Sequence, residues 1–397
     1  MFQDKTILLG ITGGIAAYKM ASLASAIGKT DGNCEVIMTK NATEFISPLT
    51  FETLTGNKCY TDTFDRDFSW DVKHISLAKK ADVILIAPAT ANVIAKLAHG
   101  IADDMLTTTV LAATCHKIVA PAMNTNMYLN PITQDNIAKL KAYGFEVIEP
   151  AEGLLACGDE GLGKMPEPEI LMGYLEKAMG RTKDLEGKKV MITAGATRES
   201  LDPVRFITNH SSGKMGFALA KEAMMRGADV TLVKAFTTAK APDFVHVVDV
   251  KDAEDMFREV TARSEEMDII IKAAAVADYT PETYSDNKIK KKEGDMSIPL
   301  KRTQDILKYL GEHKKEGQFI CGFSMETENM EENSAAKLEK KNADMIVANN
   351  LKESGSGFGT DTNRVTFITK EGIEPQDILS KEMVAKTLFD RIIEITK

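Results

Sequence analysis

The sequence predicts an α/β protein of two doubly wound, mainly parallel-sheet, Rossmann-like domains. Three observations carry this expectation. Short apolar runs alternate with helical stretches, the pattern of strands covered on both faces. The pattern stops at the charged run Arg181–Lys189 and begins again at Val190. Turns rich in glycine, serine and asparagine follow the apolar runs directly, where open parallel sheets bind their ligands. The length of 397 residues suits two or three domains at roughly 100–200 residues each. The expected division is 1–182 and 183–397.

In the first half, Thr6–Ile11 reads as a strand that runs into Thr12-Gly13-Gly14, and Ile15–Ile27 as a helix. Cys34–Thr39, Val83–Ala87, Lys117–Ala120 and Phe145–Ile148 are further strands, the third and fourth of these five each followed by a proline. In the second half the strands are Val190–Thr193, Asp229–Val233, Asp268–Ala273, Phe319–Phe323 and Met345–Ala348. A helix is expected near Lys214–Arg226. Arg364–Thr369 alternates and reads as a sheet-edge strand, and Leu379–Ile395 as a terminal amphipathic helix. The halves share a layout but not residues, so they are not a repeat.

Composition narrows the classes of function. Hydrophobic residues make up 44% and charged residues 27%, the profile of a soluble globular protein. Lys and Arg total 49 against 58 Asp and Glu, a net charge of −9, which disfavours nucleic acid as a partner. The most apolar stretch, Val83–Ala95, contains Pro88 and Asn92 and is too short to span a bilayer, so no membrane role is expected. The five cysteines form no CxxC pair, which argues against a zinc ribbon or a dithiol redox site. Their odd number, and an N-terminus that lacks a secretory pattern, point to a reducing, cytoplasmic setting.

Gly10-Ile-Thr-Gly-Gly-Ile-Ala-Ala-Tyr-Lys19 joins a strand to a helix, where Gly13, Gly14 and Ile15 would let backbone amides approach an anion. The spacing is not GxGxxG, so a dinucleotide fingerprint is not met, and a tight packed turn explains the glycines equally well. Ala87–Asn92 follows another strand. Thr90 and Asn92 there suit the polar edge or phosphate of a cofactor, and Thr90 also suits a helix N-cap. Asn124, in Pro121–Tyr128, offers a donor and an acceptor to a carboxylate or amide. His74 stands at a helix start, and a lone histidine is more often structural than catalytic. Cys157 lies in Gly153–Gly163, where four glycines in eleven residues suggest a mobile loop. A thiol on such a flap is unusual, because inert cysteines sit in cores. Cys157 is therefore read as functional, and Cys34, Cys59, Cys115 and Cys321 as structural.

In this order these segments resemble the flavin-dependent cysteine decarboxylase family across the whole first half. The markers are Gly-Gly-Ile-Ala-Ala-Tyr-Lys, His74, Pro-Ala-Met-Asn and Ala-Cys-Gly. Thr12 stands where serine is common, and Tyr128 where tryptophan is. The resemblance implies a flavodoxin-like flavoprotein domain with FMN held by Gly13, Gly14, Ile15, Thr39, Pro88, Thr90 and Asn92. Losing CO₂ beta to a thiol yields no stabilised carbanion, so an electron sink is needed. The family implies oxidation of the thiol to a thioaldehyde, loss of CO₂ to an enethiolate, then return of hydride and a proton. His74 would assist the first steps, Asn124 grip the substrate carboxylate, Met127 line the substrate, and Cys157 complete the reduction.

In the second half, Thr193–Arg205 follows a strand and Ile207–Gly216 runs into a helix. Ser211, Ser212 and Gly213 at that helix start form an anion site with Lys214 near it, although the string is not a Walker loop. Capping by Ser211 or Ser212 is the plainer reading. Asp278 ends another strand and could hold Mg²⁺, a base or a ribose. Lys288–Lys292 contains four lysines; most such runs are only solvated. Phe323 could stack on a base, and Lys337 and Lys341 share one helical face.

This half resembles the phosphopantothenate–cysteine ligase domain, on the string Asp202–Gly216 followed by Ala273–Tyr279 and the lysine cluster. The fused bacterial arrangement implies CTP with Mg²⁺, an acyl-cytidylate intermediate and displacement of CMP by cysteine. On this resemblance Asn209 contacts the acyl intermediate and Lys288 neutralises nucleotide charge. Ala273, Ala274, Ala275, Asp278, Asp305, Ile306, Phe323, Lys337 and Lys341 form the nucleotide pocket. Ala196 and Ser200 stand where prolines are frequent. Thr303 and Gln304 depart from the usual string, leaving their contacts open. The family also implies a homo-oligomer, up to a dodecamer built from threefold and twofold contacts. The competing readings are a flavin-binding module without catalysis and an NAD-dependent reductase. The first should lack the His or the flap Cys, and the second should carry GxGxxG.

Overall fold

The computed structural model describes residues 2–64, 71–154, 158–290, 296–326, 330–350 and 360–397. The chain divides into two compact units, Met1–Arg181 and Thr182–Lys397.

In the first unit the sheet strands are β1 (Thr6–Ile11), β2 (Asn33–Met38), β3 (Cys59–Tyr60), β4 (Val83–Ala89), β5 (His116–Pro121) and β6 (Glu146–Val147). All pair in parallel, in the order β3-β2-β1-β4-β5-β6. That is the Rossmann order, and the direction of winding reverses between β1 and β4. Flavodoxin's own order, 2-1-3-4-5, is not the one present. The helices are α1 (Lys19–Gly28), α2 (Pro48–Thr55), α3 (Lys73–Lys80), α4 (Ala91–Ala98), α5 (Met105–Ala112), α6 (Thr125–Leu129), α7 (Pro131–Ala142) and α8 (Pro168–Met179). The expected helix from Ile15 begins as a 3₁₀ turn, Ile15–Tyr18, before α1.

Strand side chains alternate between two cores, as a doubly covered sheet requires. Ile7, Leu9, Val36, Met38, Val83 and Leu85 pack with α1, α2 and α8. Leu8, Ile37, Ile84, Ile86 and Val119 pack with α3, α4, α5 and α7. Each fully buried aliphatic side chain contributes about 1.5–3 kcal/mol relative to exposure. A two-stranded hairpin, β7 (Ala151–Leu154) and β8 (Glu160–Lys164), stands apart from the sheet.

In the second unit the strands are β9 (Lys189–Ala194), β10 (Arg198–Ser200), β11 (Phe206–Thr208), β12 (Asp229–Lys234), β13 (His246–Asp249), β14 (Ile269–Lys272), β15 (Tyr279–Pro281), β16 (Leu300–Arg302), β17 (Phe319–Glu326), β18 (Met345–Asn350), β19 (Thr362–Asn363), β20 (Val365–Thr369), β21 (Ile373–Pro375) and β22 (Leu379–Ser380). The helices are α9 (Lys214–Met225), α10 (Ala253–Ser264), α11 (Ile306–Glu312), α12 (Met330–Lys340) and α13 (Lys381–Thr396). The main sheet runs β13-β12-β9-β14-β17-β18-β20-β21, parallel as far as β18 and antiparallel after it. Winding reverses between β9 and β14. Helices α9 and α13 cover one face, and α10, α11 and α12 the other.

Three expectations are corrected here. Val365–Thr369 is not an edge strand: β21 lies outside it and all five residues are buried. Its alternation sends Val365 and Phe367 to one core and Ile368 to the other, so both faces are covered. The charged run after Arg181 is not a free spacer throughout. Leu185 is 3% exposed within the α9–α13 core, and its amide donates to the Arg226 carbonyl at 3.1 Å. Finally, Gly153–Gly163 is the β7–β8 hairpin, not an unstructured loop, apart from residues 155–157, which lie outside the described set.

Gly216 lets α9 lie against β9, since a Cβ there would stand 2.5 Å from Ala194 Cβ and 3.1 Å from its Cα. Gly216→Ala should therefore cost about 1–3 kcal/mol, the usual penalty for overpacking. Urea unfolding of the second unit's transition would measure it.

Candidate functional site

The reversal point of the first unit gathers most of the residues expected to hold a cofactor. Beyond β1, the buried Thr12 hydroxyl donates to the Pro88 carbonyl at 2.6 Å and accepts from the Thr90 amide at 3.1 Å. This pair of bonds ties the tip of β1 to the tip of β4 across the reversal. The Ala87–Pro88 bond is cis. Thr90 caps α4 through the Val93 amide at 3.4 Å, as the plainer reading held. Asn92 is exposed in the first turn of α4. Gly13 meets the segment that follows β2, where a Cβ would lie 2.5 Å from Asn41 Cβ. Thr39 is 8% exposed and its hydroxyl lacks a hydrogen-bond partner. Ile15 and Tyr18 stay open beside Gly14, at 57% and 58% exposure. An orphaned hydroxyl, a close backbone approach and an open apolar side chain fit a planar, phosphate-bearing guest.

Asn124 caps α6 beyond β5, its Oδ1 accepting from the Asn126 amide at 2.8 Å. Its Nδ2 donates to Asp159 in the hairpin connection at 2.9 Å. Gly163 explains how the hairpin comes so close. Its φ is 137°, a side chain there would strike the Met123 carbonyl at 2.2 Å, and its own carbonyl accepts from the Met123 amide at 3.0 Å. Gly161 and Gly163 thus serve close approach, to Thr125 and Met123. Cys157, between β7 and β8 in sequence, lies outside the described residues. Met127 is half exposed on α6. His74 opens α3, one turn before Leu77 and Ala78 enter the core. His74 and Asn124 therefore stand on different elements, α3 and the β5–α6 junction.

Three of the other cysteines, Cys34, Cys59 and Cys321, are buried in the cores, while Cys115 is half-buried. Burial, then the nearby Glu35, pushes the Cys34 thiol up to about 12. Burial and Glu52 do the same to Cys59, also to about 12. Burial raises Cys321 further still.

In the second unit a cavity of about 740 Å³ spans the tips of β14, β17 and β18. It is lined by the expected residues Asn209, Ala273, Ala274, Ala275, Asp278, Asp305, Ile306, Phe323, Lys337 and Lys341, and by the Ser211–Lys214 turn. Asn209 Nδ2 donates to the Ala275 carbonyl at 3.2 Å. Asp305 caps α11 and bonds Lys341. Burial pushes the Asp305 carboxyl up, but the Lys341 and Lys308 bonds outweigh it and hold it low. Lys337 donates to the Ser324 hydroxyl at 2.9 Å. Gly213, with φ 79°, is the N-cap of α9, so neither Ser211 nor Ser212 caps it. Thr303 donates to the Ala277 carbonyl at 2.7 Å and Gln304 lines the cavity, which gives both departing residues a place.

Lys288 is not among the lining residues. It stands exposed beside Ile289, which is tethered elsewhere. The Asp202 carboxylate accepts from the amides of Val204, Arg205 and Ile289 and from the Arg205 guanidinium, whose Nη2 also donates to the Ile289 carbonyl at 2.9 Å. Arg205 holds the Asp202 carboxyl well below the usual range. The sequence reading missed Lys272, Arg302, Asn349, Asn363 and Lys381, which also line the cavity. Burial lowers the Lys272 ammonium, opposed by Asp305 and Asp278. A lysine ending an otherwise apolar strand was the available signal for Lys272. Among the described residues no three His, Cys, Asp or Glu side chains stand close enough to hold a metal.

The Flavoprotein family model matches residues 1–180, and that of the DNA/pantothenate metabolism flavoprotein C-terminal domain matches 185–395. The Bacillus subtilis coenzyme A biosynthesis bifunctional protein CoaBC is 48% identical, covering 100% of this chain and 98% of its own. The chain belongs to the bifunctional coenzyme A biosynthesis family. It is a two-function enzyme, a flavoprotein decarboxylase in its first unit and a ligase in its second. A cysteine/cysteine sulfinic acid decarboxylase from an unknown prokaryote is 44% identical, covering 88% of this chain and 99% of its own. The solved C-terminal domain of a CoaBC protein is 42% identical and aligns over 54% of this chain and 98% of its own, with a TM-score of 0.47. Among the described residues, no helix is long and apolar enough to cross a membrane.

Two tests follow from this geometry. Thr12→Val leaves the Pro88 carbonyl and the Thr90 amide without their buried partner, an expected loss of about 1–3 kcal/mol per orphaned group. The flavin-to-protein absorbance ratio of the purified variant should fall, and Thr12→Ser should restore it. Because the folded Asp202 carboxyl is depressed, its contribution is present above the ordinary carboxylate range and lost only as pH falls through its own lower value. At neutral pH, Asp202→Ala should accelerate tryptic cleavage at Lys288 and Lys290, and the wild type's slower cleavage relative to the variant at the same pH should persist down to about pH 5.

Proposed function

We propose that the second unit, 183–397, joins cysteine to 4′-phosphopantothenate at the expense of CTP, and that the first, 1–182, decarboxylates the product with FMN. What carries the reading is the convergence in one cavity of Asn209, Asp278, Asp305, Phe323, Lys337 and Lys341, residues from five separate stretches of sequence.

In the ligase reaction the pantothenate carboxylate attacks the α-phosphorus of CTP. The bond to the β-phosphate breaks and pyrophosphate leaves with its electron pair. The cysteine amine then attacks the acyl carbon, CMP departs, and the amine's proton passes to solvent. Such transfer depends on positioning and charge stabilisation rather than on a covalent nucleophile. Lys337 and Lys341 supply positive charge, Phe323 an aromatic face, and the Ser211–Lys214 turn backbone donors. Asn209 orients the acyl group. Lys288, on its tethered segment, adds charge from outside the cavity wall. Mg²⁺ fits as a companion of the nucleotide phosphates: Asp305 is committed to Lys341, which leaves Asp278 as the lining carboxylate suited to it.

In the decarboxylase, FMN fits the cradle of Gly13, Gly14, Ile15, Thr39, Pro88, Thr90 and Asn92. Once bound it supplies two-electron oxidation of the substrate thiol and the matching reduction. Asn124 holds the carboxylate that is lost, His74 takes up a proton in the first steps, Met127 lines the substrate, and Cys157 delivers a proton in the last. The family arrangement makes the protein a cytoplasmic homo-oligomer, up to a dodecamer, which light scattering would count.

The test is a coupled assay with phosphopantothenate, cysteine and CTP that follows CMP, pyrophosphate and CO₂. All three should appear together and depend on all three substrates; CO₂ release from free cysteine without CTP would overturn the reading. Cys157→Ser should accumulate the dehydrogenated enethiol by mass spectrometry. Asn209→Ala should lose CMP formation while still decarboxylating supplied phosphopantothenoylcysteine.

A further inference from the structure

One ionisable group in the second unit's cavity has no part in the chemistry described so far. Lys272 closes β14, after the apolar run Ile269-Ile270-Ile271. Its side chain leaves the sheet on the same face as that of Ile270, two residues earlier, the face that α10, α11 and α12 cover. Its partner on β17 is Gly322, where a Cβ would stand 2.7 Å from Leu307 of α11. Lys272 is half-buried and lines the cavity.

The other lysines of the cavity are engaged. Lys341 bonds Asp305, Lys337 donates to the Ser324 hydroxyl, Lys214 bonds Asp361, and Lys381 donates to the Thr360 carbonyl. The Lys272 ammonium makes neither a hydrogen bond nor an ion pair among the described residues. An ammonium removed from water without a counter-charge gives up its proton more readily. Burial lowers Lys272, Asp305 and Asp278 oppose it, and Lys341 and Lys337 push it down again, so the net direction is down. These four charges come from the start of α11, from α12 and the residue just past it, and from the segment after β14. The strand neighbours Thr193 and Gly322 carry none.

The ligation needs such a group. Its nucleophile arrives as an ammonium, protonated at neutral pH, and an ammonium has no lone pair with which to attack an acyl carbon. Among the described residues no histidine, cysteine or glutamate lines the cavity. Of its two carboxylates, Asp305 is committed to Lys341, and Asp278 is the one suited to a metal. Arg302 cannot give up its proton. A buried lysine can, and serves well as a general base when it does.

We propose that Lys272 is the base that takes a proton from the ammonium of the incoming cysteine. This rests on the reading that the second unit forms an acyl-cytidylate and passes its acyl group to cysteine. One N–H bond of the ammonium breaks, its electron pair stays on nitrogen, and the proton forms a new N–H bond on Lys272 Nζ. The freed pair attacks the acyl carbon. The bond from that carbon to the phosphate oxygen then breaks, and CMP leaves with the pair. The attacking nitrogen sheds its second proton to solvent, and Lys272 afterwards does the same with the first. Before cysteine arrives Lys272 is uncharged, so it adds nothing to the hold on phosphate, unlike Lys337 and Lys341.

The experiment uses the full-length enzyme and divides the ligation at the acyl-cytidylate. Pyrophosphate release is first followed in a single turnover without cysteine. Cysteine is then added, or hydroxylamine in its place, whose amine is already unprotonated at neutral pH and needs no base. Lys272→Met should keep the pyrophosphate burst and the formation of hydroxamate, and lose ligation of cysteine by about 10²–10⁴-fold at neutral pH. The residual ligation should climb with pH through the range in which cysteine's own amine loses its proton. Lys272→Arg should fail equally with cysteine, because a guanidinium restores charge without restoring a base. Lys272→Gln repeats the test with a neutral polar side chain, in case methionine disturbs the packing. Rescue by arginine overturns the proposal, and so does loss of the burst in both neutral variants, since either result would make Lys272 a charge for the nucleotide. Equal losses with cysteine and hydroxylamine overturn it as well. If the wild-type enzyme released no pyrophosphate from CTP and phosphopantothenate, the broader reading of the ligase would fail instead.

Discussion

Everything in this protein depends on one constraint: a parallel sheet covered on both faces has only its strand tips left for chemistry. Burying Leu8 and Ile84 on one side and Leu9 and Leu85 on the other commits both surfaces of the first sheet to packing. The second sheet does the same with Ile192 and Ile270. What remains is the edge where strands end and helices begin, rich in unpaired amides. In each unit the winding reverses beside the first strand, opening a crevice there. The bonds from Thr12 to Pro88 and Thr90 hold that crevice in the first unit, and in the second the bonds of Asp202 to Arg205 and Ile289 fix the segment that carries Lys288.

This constraint explains which parts could be read from sequence. The strands were legible because burial on both faces leaves uninterrupted apolar runs such as Ile84–Ala87. The site residues Asn124, Asp278 and Phe323 were legible because they stand at the ends of such runs or just beyond them. Lys381 was not, because it follows the short β22, and only the pairing of β19 with β22 brings it to the cavity. Asn349 and Asn363 look like ordinary polar residues until the antiparallel pairing of β20 with β18 sets Asn349 opposite Val365, two residues along the chain from Asn363, and both reach the cavity. Lys288 shows the opposite error: its lysine run and its position after a nucleotide motif suggested a wall residue, but the tether at Ile289 holds it outside the lining.

The hairpin teaches a similar lesson about glycine. Glycine density in Gly153–Gly163 was read as freedom of motion. At Gly163 it instead permits contact closer than any side chain would allow, with the Met123 carbonyl where a Cβ would be. A conformational preference and a steric allowance leave the same mark in a sequence, and only the neighbouring chain distinguishes them.

The mooring of Ile289 to Asp202 bears on how an outlying ammonium group could act at all. Adjacent Cα atoms are about 3.8 Å apart, so Lys288 and Lys290 both hang from a fixed peg. Delivering either charge then freezes little more than one side chain, on the order of 2 kcal/mol of rotamer freedom. Ordering an untethered stretch would cost about 1–2 kcal/mol for every residue of it. A single buried carboxylate thus turns a loop-folding problem into a side-chain swing.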